Sequence, residues 1–353
     1  MSKKADDNED FGGFVSPPAD VFAFTEQRSC ADILRMSESG ILDRMPAFQR
    51  KFIWKDRERA RFIDSLLKNL PIPSMCFTLD KKTKIMQVVD GVQRISTILD
   101  FLSGRDSYRI SKLKDVDSRI SGKTLGQIKR DNPEVIEQIQ NIVISTTVIR
   151  WDQENVDHNE YVFQIFHRLN TGGSKLNAQE IRNCIYSGTL NTAINKLAEE
   201  VDLSSIYGVK DEKIRGEKSE IILRFCALMD ESAEYKPSLA TFLNKYMFKN
   251  RHLDQEAVGN KLSLFLNAVT YVESNQLLNK KTSQNSKSVV EAILIGIAKN
   301  INSVRSLDKS VVLEKIDLLF EQTGYTAEDL KNDVMSAGKV KNRIDSAISA
   351  FSS

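Results

Sequence analysis

The sequence predicts an α+β N-terminal region followed by an irregular, all-helical C-terminal region. Short β-branched runs, Met75 to Leu79, Ile85 to Val89 and Ile142 to Trp151, alternate with helical patterns in the first half. Beyond Thr189 the patterned segments all carry apolar residues three and four apart, and no repeat period links them, so a bundle is expected and not a solenoid.

With 353 residues the chain is long enough for two domains, each with its own core. The expected division is a flexible tail over 1–22, a mixed domain over 23–208 and a helical domain over 209–353. Fifty Lys and Arg against 48 Asp and Glu leave a formal charge of +2, too balanced for a general polyanion-coating protein. The four cysteines are far apart with no Cys-x-x-Cys pair, which argues against a disulfide framework or a zinc site. No apolar run near the N-terminus suits a signal peptide or a membrane span, so a cytoplasmic protein without membrane contact is expected.

Taken in order, Ser29 to Leu34 reads as a short helix ending near Gly40, and Ile41 to Phe48 as an extended segment containing Pro46. Asp56 is a plausible N-cap for a helix with Ala60, Ile63, Leu66 and Leu67 on its apolar stripe, stopped by Pro71-Ile72-Pro73. A hairpin follows, turning at Asp80 to Thr83. Tyr108 to Gly122 is polar and carries no period. Pro133 to Gln140 reads as helix, and Tyr161 to Leu169 as an amphipathic helix running into Asn170-Thr171-Gly172-Gly173. Asn177 and Glu180 form a capping box for the helix ending at Gly188.

The returning strand of the hairpin ends in Asp90-Gly91-Val92-Gln93-Arg94, after which Ile95, Ile98, Leu99 and Leu102 repeat at helical spacing. This is a strand, a tight turn and a helix, and a helix N-terminus attracts anions through its unpaired N–H groups and its dipole. The plainer reading is a capping Asp salt-bridged to a nearby Arg. Further donors suited to phosphate sit at loops and helix ends: Gln49, Arg50, Arg168, Asn170, Thr171, Lys175, Arg182 and Asn183. Asp90 and Asp64 are candidate carboxylates for a metal or a water, Asp90 being favoured by its strand-end position. Mg²⁺ needs only one or two protein carboxylates when substrate phosphates supply the rest. Phe48, Phe52 and Trp54 could stack on a base or simply pack a strand. Neither G-x-x-x-x-G-K-[ST] nor G-x-G-x-x-G is present, and the three histidines, His158, His167 and His252, are too scattered for a metal or nuclease centre.

The ordered set Gln49-Arg50 with Trp54, Ile63 to Leu67 with Pro71-Ile72-Pro73, Asp90 to Arg94, Arg168 to Gly173, and Glu180 to Asn183 resembles the DGQQR-motif domain. That domain forms the N-terminal half of GmrSD-type modification-dependent restriction enzymes and related phage-defence proteins, and is similar to the ParB/sulfiredoxin fold. The resemblance covers Asp32 to Gly188. It implies nucleoside triphosphate binding and hydrolysis, with Asp90, Gln93 and Arg94 as catalytic residues and Asp90 on Mg²⁺. Gln49, Arg50, Gly91, Thr97, Arg168, Asn170, Thr171, Lys175, Arg182 and Asn183 would contact nucleotide or phosphate. Val92 stands where the family usually carries Gln, which removes a polar side chain and bears on hydrolysis more than on binding. The companion HNH-type nuclease domain is absent from this sequence, so cleavage of modified or phage DNA would fall to a separate nuclease chain.

The leading expectation is therefore a nucleotide-binding, NTP-hydrolysing regulatory or sensor protein of a restriction-type phage-defence system. Two rivals use the same residues differently. One is a non-enzymatic DNA-binding adaptor, motivated by Arg50, Lys51, Arg57, Arg59 and Arg61. The other is a divalent-metal-dependent DNase built on Asp90.

Overall fold

The computed structural model describes residues 18–43, 54–169, 177–207, 216–278, 287–326, 329–330 and 334–352. The chain divides into two compact units, 16–173 and a helical unit from 174 onward. The division falls earlier than the expected 208 because α7 (Ala178–Ile185) and α8 (Thr189–Glu200) pack on α10 (Glu217–Glu231).

The N-terminal unit is built on a five-stranded mixed sheet of order β1-β5-β3-β4-β2. Its strands are β1 (Phe22–Ser29), β2 (Leu42–Asp43), β3 (Met75–Asp80), β4 (Met86–Asp90) and β5 (Val143–Trp151). β1 pairs antiparallel with β5, β5 parallel with β3, β3 antiparallel with β4, and β4 parallel with β2. The helices of this unit are α1 (Cys30–Glu38), α2 (Asp56–Leu67), α3 (Val92–Ser103), α4 (Leu125–Asp131), α5 (Pro133–Asn141) and α6 (Val156–Leu169). Ile33, Ile63, Leu66, Phe77, Ile95, Ile98, Leu99, Ile128, Ile139 and Val148 form one buried core between sheet and helices.

The α+β expectation is met, and the hairpin, α3, α5 and β5 stand where the sequence placed them. Four local differences have physical reasons. β1 was not expected as a strand, because an edge strand exposed along most of its length lacks an apolar face to announce it. Lys55, not Asp56, precedes α2, and the Glu58 carboxylate accepts from the Lys55 N–H at 2.6 Å. The stretch from Tyr108 to Gly122 folds without a period because isolated apolar side chains, Ile110, Val116 and Ile120, fill gaps in the core one at a time. Thr124 and Gln127 then form a capping box that opens α4.

The helical unit continues with α9 (Ser204–Tyr207), α11 (Leu239–Asn250), α12 (Gln255–Ser274), α13 (Lys287–Lys299), α14 (Ile301–Arg305), α15 (Lys309–Phe320) and α16 (Ala337–Phe351). α13 is buried on every side from Ser288 to Ala298. Gly296 permits this, since a Cβ there would come within 2.6 Å of the Ala347 carbonyl oxygen on α16. Within this interior Glu291 accepts two hydrogen bonds from Arg224, at 2.8 and 3.0 Å. No helix among the described residues is long and apolar enough to cross a membrane.

The hairpin turn between β3 and β4 is held by Asp80, which is 4% exposed. One carboxylate oxygen accepts from the Lys82 and Thr83 N–H groups at 2.9 and 2.6 Å and from the Thr83 hydroxyl at 2.9 Å; the other accepts from the Gln153 N–H at 3.3 Å. Burial alone would raise its pKa, but these hydrogen bonds outweigh burial and hold it below the ordinary 3.8. A depressed folded-state pKa stabilises the fold above the unfolded value, and that stabilisation is lost as the pH falls through the folded one. Asp80→Asn should therefore lower Tm at neutral pH, and thermal unfolding followed between pH 7 and pH 2 should show the gap from wild type closing below about pH 4.

Candidate active site at the turn from β4 to α3

β3 and β4 change register between Cys76 and Phe77, where Cys76 faces Asp90 but Phe77 faces Val88. The extra residue, Val89, makes a bulge, so Val88 and Val89 are both buried while Asp90 turns outward. Gly91 follows with φ +100 and caps α3 without any side-chain hydrogen bond. The cap residue of this twelve-residue helix thus contributes no side chain to its N-terminal N–H groups.

Asp90 and Arg94 form an ion pair at 2.8 Å, with the Asp90 side chain 57% exposed and the Arg94 side chain 12% exposed. The plainer reading of the sequence is right about the ion pair and not about the cap. Arg94 does more than neutralise Asp90. Its guanidinium also donates to the carbonyl of Pro73, and to that of Ser74 at 3.4 Å. The half-buried arginine thus fixes the exposed carboxylate and ties the approach to β3 onto the turn. Pro71-Ile72-Pro73 signalled only a helix stop in the sequence, and nothing there revealed its carbonyls as partners of Arg94.

Gln93 accepts through its side-chain oxygen from the Trp54 N–H at 3.3 Å, a link the sequence did not disclose. The Trp54 ring packs edge-on against Phe62 at 5.4 Å, the packing alternative for that aromatic. β2 runs parallel to β4 with Asp43 beside Gln87. The described residues on both sides of 44–53, Asp43 and Trp54, therefore adjoin β4 and the first turn of α3. Gln49, Arg50, Phe48 and Phe52 lie outside the described residues, as do Asn170, Thr171 and Lys175.

The remaining candidates fall elsewhere. Thr97 is 1% exposed and its hydroxyl donates to the Gln93 carbonyl at 2.7 Å, so it turns back along its own helix and not toward a ligand. Arg168 and His167 are exposed in the last turn of α6. Arg182 and Asn183 belong to the helical unit and are buried. Arg182 donates to Asn244 at 3.0 Å and to Gln179 at 3.3 Å, and Asn183 donates to Asn195 at 3.2 Å. These two side chains serve the interior of the bundle. Asp64 is likewise committed, accepting from Lys68 at 2.6 Å and from the Asp117 N–H at 2.8 Å. His158 is also buried, joined to Asp20 at 2.8 Å.

Cys76, opposite Asp90, has its thiol pushed up to about 12 by burial and by the Asp90 carboxylate, so it stays neutral. Among the described residues no three His, Cys, Asp or Glu side chains converge to hold a metal ion. Asp90 offers one exposed carboxylate, which fits Mg²⁺ bound chiefly through substrate phosphates. Gly91 is constrained by both its φ and its surroundings, since a Cβ would meet Met75 Cγ at 3.0 Å. Gly91→Ala should cost about 1–2 kcal/mol, visible as a drop of several degrees in Tm by calorimetry.

Residues 30–187 match the family model described as "GmrSD restriction endonuclease, N-terminal domain". No curated protein and no solved structure matches the chain in the corresponding comparisons. The matched stretch contains the bulge, the Gly91 turn and the Arg94 tie, and it reaches through α7. Residues 30–187 thus form a GmrSD-type N-terminal domain.

Proposed function

We propose that this protein is a nucleotide-binding, NTP-hydrolysing component of a restriction-type phage-defence system, with its nucleotide site at the turn from β4 to α3. The observation that carries the reading is the exposed Asp90, held by the half-buried Arg94 in front of a helix N-terminus whose Gly91 cap offers no side chain. The N–H groups and dipole of that helix end favour phosphate oxygens. Gly91 turns the chain there with a positive φ that a side chain would strain. A carboxylate at the same spot repels phosphate unless a cation lies between them, which is the chemistry Mg²⁺ would supply when held by Asp90. Arg94 orients the carboxylate, and Gln93 lines the first turn of α3 with its position set by the Trp54 backbone. The resemblance adds Arg168, in the last turn of α6, and residues outside the described ones, Gln49, Arg50, Asn170, Thr171 and Lys175, as candidate phosphate contacts. Thr97, Arg182 and Asn183 act through packing.

Val92 packs half-buried against the apolar core. Replacing the family's usual Gln by Val therefore suits the local packing, while removing an amide from the start of α3. Cleavage of modified or phage DNA would rest with a partner nuclease chain. The adaptor reading draws less support, because Arg59 is paired with Asp100 and Arg61 with Asp115 at 2.9 Å.

Calorimetric titration with the four ribonucleoside triphosphates and Mg²⁺, followed by assay of phosphate release, tests the reading. Wild type should bind at least one of them and release phosphate, and Asp90→Ala should lose turnover by a hundredfold or more, in the range of a positioned catalytic group. Binding without turnover would restrict the protein to a nucleotide-gated switch, and Val92→Gln should then raise phosphate release. Absence of binding to all four would overturn the reading.

A further inference from the structure

Among the described residues, the β1 edge of the sheet pairs with no further strand. β1 is eight residues long and its residues from Phe22 to Thr25 are exposed, with Phe22 at 47% and Phe24 at 37%. It contains neither proline nor lysine nor a bulge, and its two charged side chains, Glu26 and Arg28, are paired with each other. The Cys30 N–H donates to the Ile142 carbonyl at 2.9 Å, and the register pairs Arg28 with Ile144, Glu26 with Thr146 and Phe24 with Val148. Because antiparallel pairs alternate, these even-numbered residues direct their backbone groups toward β5. Ala23, Thr25 and Gln27 direct theirs away from it, and among the described residues no hydrogen bond to these outward groups is found.

We propose that this edge pairs with β1 of a second copy, antiparallel about a two-fold axis through Thr25, joining the two sheets. The sequence of the strand selects both the occupant and the register. Only with Thr25 opposite Thr25, and Ala23 opposite Gln27, are the outward groups of all three residues used on both strands. In that register Arg28, which pairs with Glu26 on its own strand, stands opposite Phe22 of the other copy, and Glu26 stands opposite Phe24. Thr25 meets Thr25, a favourable cross-strand pair. No two like charges face each other. The exposed Phe22 and Phe24 rings, 6.1 Å apart, gain cover from the second strand.

Sedimentation velocity from low to tens of micromolar protein, with matched cysteine cross-linking, tests this. Wild type should shift from monomer to dimer with concentration. Thr25→Lys places two ammonium groups face to face on the axis and should weaken the dimer by about tenfold or more, with circular dichroism unchanged. Thr25→Cys should cross-link to itself under mild oxidation, and Ala23→Cys should cross-link to Gln27→Cys when the two are mixed but not to itself. The native cysteines, all buried, leave that readout clean. A monomer at every concentration would overturn the proposal. So would a dimer indifferent to Thr25→Lys, or self-cross-linking of Ala23→Cys as efficient as that of Thr25→Cys. The cross-linking pattern stands independently should Thr25→Lys fail to fold.

Discussion

Arg94 joins three stretches of chain that are remote in sequence or in direction. Its backbone lies in the first turn of α3, and its guanidinium reaches the carbonyls of Pro73 and Ser74 ahead of β3 and the carboxylate of Asp90 at the end of β4. A guanidinium is suited to this task because its donors are planar, fixed in a fork and always charged. With only 12% of the side chain exposed, these bonds are shielded from competing water, whereas the Asp90 side chain keeps more than half its surface open. The division of labour follows from that contrast: the arginine supplies rigidity and the aspartate stays open to solvent. The Val89 bulge and the positive φ of Gly91 are the backbone counterparts of the same arrangement, each turning the chain where a regular strand would hide the carboxylate.

How much of this was legible in the sequence depended on whether the signal was local. The strand, turn and helix around Asp90 could be read because β-branched residues, a glycine and an i, i+3, i+4 pattern follow one another within fifteen positions. The capping box of Asn177 and Glu180 could be read for the same reason, and Asn177 does accept from the Glu180 N–H. The tie from Arg94 to Pro73 could not, because backbone carbonyls carry no sequence signature. β1 escaped notice because an exposed edge has no buried face to impose alternation. Thr97 looked like a ligand-facing hydroxyl from its place in the motif, yet its distance along the helix returns it to the Gln93 carbonyl.

Arg182 and Asn183 show the converse case, in which residue types suited to phosphate serve the protein itself. Both lie on α7 within the helical unit, where an interior made partly of Asn, Gln, Arg and Glu side chains must satisfy its own hydrogen bonds. Arg224 and Glu291 repeat the theme deeper in the bundle. Such networks are directional, so they favour one helix arrangement over others that would bury the same apolar surface. The candidate phosphate ligands of the sequence thus divide between an exposed turn in one unit and an enclosed network in the other.

The burial of α13 on all sides has a consequence for the chain during its synthesis. A helix apolar around its whole circumference is stable only when every neighbour is present. α13 packs against α10 and α12, which precede it, and against α16, which follows it. The core of the helical unit therefore stays open until α16 has left the ribosome, exposing Val289, Ile293 and Ile297 in the meantime. The sheet of the N-terminal unit has no such dependence, since β5, its last strand, is complete at Trp151. The turn bearing Asp90 can thus be assembled while the helical half is still being made.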